Sequence, residues 1–170
     1  MTSIKEISWA YQIVIDPMNY EHFLIPARNG LWESLNGGLS WKQIYQESEP
    51  SMAIFDPAEN NKAYFVAKDS LYELHNGNIK KFNFPKISAP INGCGIACQT
   101  STKRIFVIIV WQKNKNTDYY TTIYQVKNDS LAPITQVKSK DRTTENIIFD
   151  NTNPNVMYFY SYKTIYKVNL

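Results

Sequence analysis

The chain reads as a succession of short apolar runs broken by turns. Four times an apolar run, a turn and a second apolar run follow one another: IVIDPMNYEHFLIPAR from Ile13, AIFDPAENNKAYFVAK from Ala53, IACQTSTKRIFVIIV from Ile96 and IIFDNTNPNVMYFYSY from Ile147. After each comes a five-residue motif of small residue, Leu or Ile, aromatic, polar and a closing residue: GLWES at 30, SLYEL at 70, TIYQV at 122 and TIYKV at 164. The motifs start at Gly30, Ser70, Thr122 and Thr164, so their spacings are 40, 52 and 42 residues. Self-similarity at such a period is the signature of propeller blades or solenoids. Three more polar segments, SWKQIY, NIKKFNF and LAPITQV, follow the first three motifs, so a unit is four strands, A to D.

The turns carry their own chemistry. Asp16, Asp56 and Asp150 each close a strand A, followed by Pro17, Pro57 or Asn151, and the third unit has Cys98 or Gln99 there. Asp-Pro and Asn-rich corners supply a side-chain acceptor and a preset backbone angle where the chain reverses. The fourth unit reaches Leu170 directly after its strand C, and SIKEIS at 3–8 has the alternation of a strand D. The expectation is that this N-terminal strand completes the last blade and leaves no open edge. Strands A and B are unbroken apolar runs such as Ile105 to Val110, as expected where both sheet faces are covered. The predicted fold is all-β: a small four-bladed β-propeller in a single domain over 1–170, with blades at about 9–45, 51–84, 94–137 and 146–170 plus 3–8.

Composition agrees with strands. Aromatic residues make up 14% of the 170, twelve of them Tyr, and β-branched residues are frequent. The formal net charge of +3 is too small to indicate a nucleic-acid partner, and the Lys-rich loops are interrupted by Glu47, Glu49 and Asp141. No apolar run is long enough to span a bilayer and no signal peptide is visible at the start, so the expected location is the cytoplasm, with a secreted mature form whose signal has been removed as the alternative. Cys94 and Cys98 would lie roughly 13 Å apart on one strand face, too far to bridge. With His22 and His75 they make a poor metal set, so neither metal nor cofactor is expected; both histidines are expected at the surface.

SLNGGLSW, Ser34 to Trp41, resembles the Asp-box of the bacterial neuraminidase repeat, Ser/Thr-x-Asp-x-Gly-x-x-Trp. Ser34, Gly38 and Trp41 match, and Asn36 stands where the family has Asp. The surrounding DP…GLWES…GGLSW looks like blades of sortilin-like, photosystem-assembly-factor-like and sialidase-like propellers. HNGN at 75–78 is a degenerate version, and units three and four lack the box. The resemblance implies a structural staple at a C to D hairpin, on the side away from the usual binding face. It carries the fold and not catalysis.

Sialidase-like chemistry would need three arginines on one carboxylate. Arg28, Arg104 and Arg142 are the three this chain has, and the repeat places Arg104 on the opposite rim from the others. Glu47, Glu49, Asp141 and Glu145 lie in D to A loops, where solvated charges account for them better than a glycosidase pair does. No Ser-His-Asp set, phosphate loop or metal motif is present, so no catalytic residue is assigned.

The irregularity that points to function is in the third unit. Its B to C connection carries WQKNKNTDYYT, Trp111 to Thr121, where the others have RNG, KDS and YKT. Long loops on a rigid scaffold are common carriers of binding. The expected site gathers Trp111, Lys113, Lys115, Tyr119 and Tyr120 with Arg28, Lys68, Tyr160 and Tyr162 on the face of the B to C and D to A loops. Aromatic anchors with basic neighbours suit a protein hot spot or a sugar platform. The expected function is therefore non-enzymatic protein recognition, with lectin-like binding as the alternative and a divergent glycosidase behind it. The chain is expected as a monomer, or as a dimer if two chains complete one another's array of blades.

Overall fold

The computed structural model describes residues 5–85, 87, 89–114, 118–127, 130–143 and 146–170. These residues are all-β and form four antiparallel sheets, one for each sequence repeat, with strands in meander order. The first sheet is β1 (Val14–Asp16), β2 (Asn19–Ala27), β3 (Gly30–Ser34) and β4 (Lys42–Tyr45); the second is β5 (Pro50–Phe55), β6 (Lys62–Ala67), β7 (Ser70–His75) and β8 (Asn78–Phe82). The third is β9 (Ile91–Gln99), β10 (Arg104–Gln112), β11 (Tyr119–Lys127) and β12 (Ser130–Ser139). The fourth has three strands, β13 (Ile148–Phe149), β14 (Val156–Tyr160) and β15 (Ile165–Asn169).

The chain divides into two compact units, 1–81 and 82–170. In the first unit Leu24, Leu31 and Tyr45 of sheet one pack with Phe55, Phe65 and Tyr72 of sheet two. Phe65 and Tyr72 stack at 4.9 Å with only 9° between their rings, and Tyr45 meets both edgewise or tilted. In the second unit Phe106, Ile108 and Ile123 of sheet three pack with Met157, Phe159 and Val168 of sheet four. The cause is the pleat: successive residues alternate faces, so one apolar set of each sheet meets its neighbour. Burying each such side chain is worth about 1.5–3 kcal/mol, so Phe65→Ala alone would cost about 3–5 kcal/mol.

The corners form as their residues dictate. The Oδ1 atoms of Asp16, Asp56 and Asp150 accept the amide hydrogens of Met18, Ala58 and Thr152, each at 2.8 Å. The hydroxyl and amide of Thr152, and the amide of Asn153, hold the half-buried Asp150 carboxyl below its ordinary range. In the third blade Gln99 replaces the aspartate, and its Oε1 accepts from Arg104 Nη2 at 2.7 Å and Nε at 3.0 Å. A neutral amide thus holds the corner by recruiting Arg104, the residue that opens β10.

The N-terminal segment departs from the expected latch. Residues 3 and 4 lie outside the described residues, and 5–8 form a turn and coil, not a strand. Asn29, at the tip of the β2–β3 turn, takes both ends of this segment: its Oδ1 accepts from the Ser8 amide at 3.0 Å and its Nδ2 donates to the Glu6 carbonyl at 2.7 Å. The Arg28 amide donates to the carbonyls of Ser8 and Trp9, and Ala10 bridges to Ala27. Residues 5–8 thus take no strand position, and the fourth sheet has three strands among the described residues.

Candidate functional site

The B to C connections of the first two sheets are two-residue turns, closed by the pairs Ala27 with Gly30 and Ala67 with Ser70. Gly30 is the residue its turn requires, at φ +132°, and a Cβ there would stand 2.1 Å from the Tyr45 carbonyl oxygen. The third sheet differs less by a long loop than by a longer ladder. Strands β10 and β11 stay paired outward through Val110 with Thr121, Trp111 with Tyr120 and Gln112 with Tyr119, so the connection proper is 113–118. The expected eleven-residue loop is thereby shortened, because aromatic and β-branched residues at 111 and 119–121 favour pleated, cross-strand positions.

Extending the ladder fixes the aromatic pair. Trp111 stacks on Tyr120 with ring centroids 4.4 Å apart and 15° between planes. The Trp111 Nε1 donates to Thr122 Oγ1 at 3.2 Å, and Gln136 Nε2 from β12 donates to the same oxygen at 3.1 Å. Tyr120, Thr122 and Tyr124 share one face of β11 because they are two residues apart. With Lys113 they line a groove of about 420 Å³ that Pro85, Ile87 and Ala89 also line. Burial pushes the Tyr124 phenol up, so it stays protonated and keeps its donor. At the rim Lys138 pairs with Asp118 at 2.7 Å, an interaction that holds the carboxyl down and the ammonium up.

Three expected binding residues, Trp111, Lys113 and Tyr120, thus share one groove. Tyr119 sits on the outermost rung of the same ladder, and Lys115 lies outside the described residues. Tyr160 and Tyr162 flank the β14–β15 turn and are exposed without lining the groove, Tyr162 at 95%. Arg28 and Lys68 occupy the two-residue turns of the first unit; the Arg28 guanidinium lies 5.8 Å above the Trp9 ring. Thr122, Tyr124 and Gln136 were missed by the loop-centred sequence reading. The period-two pattern of TTIYQV, which puts Tyr120 and Tyr124 on one side, was the signal that could have found them.

The Ser34, Asn36, Gly38 and Trp41 set closes the β3–β4 hairpin. The buried Ser34 hydroxyl accepts the Gly38 amide hydrogen at 2.9 Å and donates to Asn36 Oδ1 at 3.0 Å. Asn36 Oδ1 also accepts the Ser40 amide at 2.9 Å, and Trp41 Nε1 donates to the Gly38 carbonyl at 3.0 Å. Gly38 lies at φ +86° under the rings of Phe23 and Trp41. The side chains tie a left-handed turn to the strand that enters it.

His22 is a correction to the expected surface position. It is buried, with Nε2 2.9 Å from Glu33 Oε1, Nδ1 3.5 Å from Asp16 Oδ2, and its ring edge-on to Phe55 at 4.7 Å. The second blade repeats the arrangement with Lys62 2.9 Å from Glu59 and 3.4 Å from Glu73. A base six residues after the corner aspartate, and an acid fourth in the motif, was the overlooked repeat. His75 lies 3.3 Å from Glu59. Cys94 and Cys98 lie on β9 and form no disulfide. Among the described residues no cluster of three or more His, Cys, Asp or Glu could hold a metal ion, and no helix is long and apolar enough to cross a membrane.

No protein-family model matches the chain. No curated protein matches it either. Solved structures do: an ancestral GH74 enzyme superposes with a TM-score of 0.68 at 16% identity over 93% of this chain and 25% of its own. A protein from Bacteroides uniformis described as a 6-phosphogluconolactonase gives 0.53 at 13% identity over 94% of this chain and 55% of its own. The chain therefore spans between a quarter and about half of the length of these structures. The likeness shows the fold, a small all-β propeller-like chain with four blades.

Proposed function

We propose that the chain is a non-enzymatic recognition module that holds a protein partner at the Trp111–Tyr120 groove. The observation that carries this reading is the stacked pair itself, fixed on a hydrogen-bonded ladder yet left half-exposed along a groove of about 420 Å³. Trp and Tyr dominate binding hot spots because they offer large contact area with few torsions to freeze. A rigid ladder lowers that cost further. Lys113 at the groove and Lys140 near its rim favour an acidic neighbour to the inserted apolar side chain.

The three arginines support the non-enzymatic reading, since each has structural work of its own. Arg104 serves the Gln99 corner, Arg28 covers Trp9, and Arg142 Nη2 donates to the Asn92 carbonyl at 2.9 Å. We read the Ser34–Trp41 hairpin as an Asp-box whose aspartate has become Asn36, a reading that the Ser34, Gly38 and Trp41 hydrogen bonds support. A glycan is the second reading, favoured by the hydroxyl and amide groups of Thr122, Tyr124 and Gln136 around the aromatic floor.

The experiment is affinity capture from native lysate with the intact chain and with Trp111→Ala, followed by titration of the purified partner. Loss of one such anchor is expected to weaken binding about 30-fold or more, and added salt to weaken it further. An unchanged affinity would remove the groove as the site. Binding on a glycan panel that is lost in Trp111→Ala would move the reading to carbohydrate.

A further inference from the structure

The polar groups beside the Trp111–Tyr120 stack form a chain of hydrogen bonds with a fixed direction. A hydroxyl has one hydrogen to donate and two lone pairs to accept with. At Thr122 both lone pairs are taken, by Trp111 Nε1 at 3.2 Å and by Gln136 Nε2 at 3.1 Å, and either nitrogen can only donate. The Thr122 hydrogen therefore goes to its remaining partner, the Tyr124 phenol. The Tyr124 hydrogen then has no place on Thr122. Because Tyr124 lines the groove, its hydrogen is turned to whatever fills that space.

We infer that the groove takes an extended, proline-bearing segment of the partner, its pyrrolidine rings on the Trp111–Tyr120 stack and one of its carbonyl oxygens on the Tyr124 hydroxyl. The inference rests on the groove being the binding site proposed above and adds the class of ligand. Strands β10 and β11 each have a neighbour on both sides, so their backbone is committed to the sheet and a guest strand cannot pair with it. A guest segment must therefore do without backbone partners for its N–H groups. Proline has no N–H, and a polyproline helix leaves its carbonyls open to an outside donor. Aromatic-lined grooves are the surfaces on which such helices dock. The chain's own Pro85, Ile87 and Ala89, every second residue of one segment, already line the same groove. A sugar is served less well, because its many hydroxyls need several partners while Thr122 is saturated and Tyr124 offers one hydrogen.

The test titrates the full chain with N-acetyl-hexaproline amide and with an N-acetyl Gly-Ala hexapeptide amide, followed by NMR chemical shifts. Hexaproline is expected to bind and the Gly-Ala peptide, which brings its own N–H groups, to bind far more weakly. Trp111→Ala is expected to abolish hexaproline binding. Tyr124→Phe keeps the ring, and with unchanged circular dichroism it is expected to weaken binding about fivefold through the lost donor. Hexaproline that produces no shift at about 1 mM overturns the inference. So does a Gly-Ala peptide that binds equally well, or an affinity that Tyr124→Phe leaves unchanged. A lysate partner or a glycan lost in Trp111→Ala, with no binding of hexaproline, overturns the proline assignment while the groove stands as the site. Hexaproline bound equally by the intact chain and by Trp111→Ala overturns the placement as well.

Discussion

The buried Ser34 hydroxyl receives the amide hydrogen of Gly38 at 2.9 Å, across a turn whose glycine sits at φ +86°. The side chain and the backbone conformation depend on one another. Ser34→Ala leaves the Gly38 donor without its acceptor and is expected to cost about 1–2 kcal/mol. Gly38→Ala meets Phe23 and Trp41 only at ordinary contact distance, so its cost of about 1–2 kcal/mol is that of a left-handed backbone. Urea denaturation of the two variants and the double variant checks both figures, and the double variant is expected to lose less than their sum.

Trp111→Ala is expected to destabilise the fold as well as to weaken binding. The stack with Tyr120 is worth about 0.5–1.5 kcal/mol beyond area, and the hydrogen bond to Thr122 is lost with it. Tyr120→Phe keeps the stack and is expected to be near neutral in stability. Comparing urea midpoints of the two variants separates stacking from the phenol.

His22→Ala removes the base between the Asp16 and Glu33 carboxylates and opens a void beside Phe55. The expected loss is about 3 kcal/mol, in the range for emptying a buried site and leaving its polar neighbours without a partner. Because Lys62 holds the equivalent position in the second blade, His22→Lys is expected to recover a substantial part of it. Thermal melts of both variants decide whether the repeat position tolerates either base.

Tyr45 carries an alkaline signature. Burial, opposed by the hydrogen bond with Ser48, pushes its phenol up to about 12. A proton bound more tightly in the folded than in the unfolded chain gives stability that is complete below about pH 10 and declines as pH rises through about 12. Tyr64 is pushed up by burial too, so the wild type is expected to lose stability steeply in that window. Tyr45→Phe is expected to flatten the decline, measured as urea midpoints at pH 9 and 11.5.

The four sheets were legible because repeated runs, Asp corners and the aromatic motif all act locally. Asp16, Asp56 and Asp150 made the corners they were expected to make. What was not legible needed partners far away in sequence. Nothing in SIKEIS reveals that Asn29 will satisfy Glu6 and Ser8, and an insertion of eleven residues does not disclose how many of them join a ladder. His22 was misread because single histidines are commonly exposed, whereas its burial follows from alignment with Lys62. In the site, Trp111 and Tyr120 were visible as aromatics, but Thr122, Tyr124 and Gln136 became part of it only once register put them on the same face.

The ladder of the third blade ends at Gln112 with Tyr119, and its last rungs already contain the aromatic pair. The described residues beyond that rung, Lys113 and Asp118 among them, act through their side chains and not through the strand pairing. Their identity is free to drift or be exchanged while the platform beneath them keeps its geometry. Such a division lets a lineage retarget what it recognises without renegotiating its architecture, and it marks the hairpin tip as the natural graft point for engineering new specificity into this scaffold.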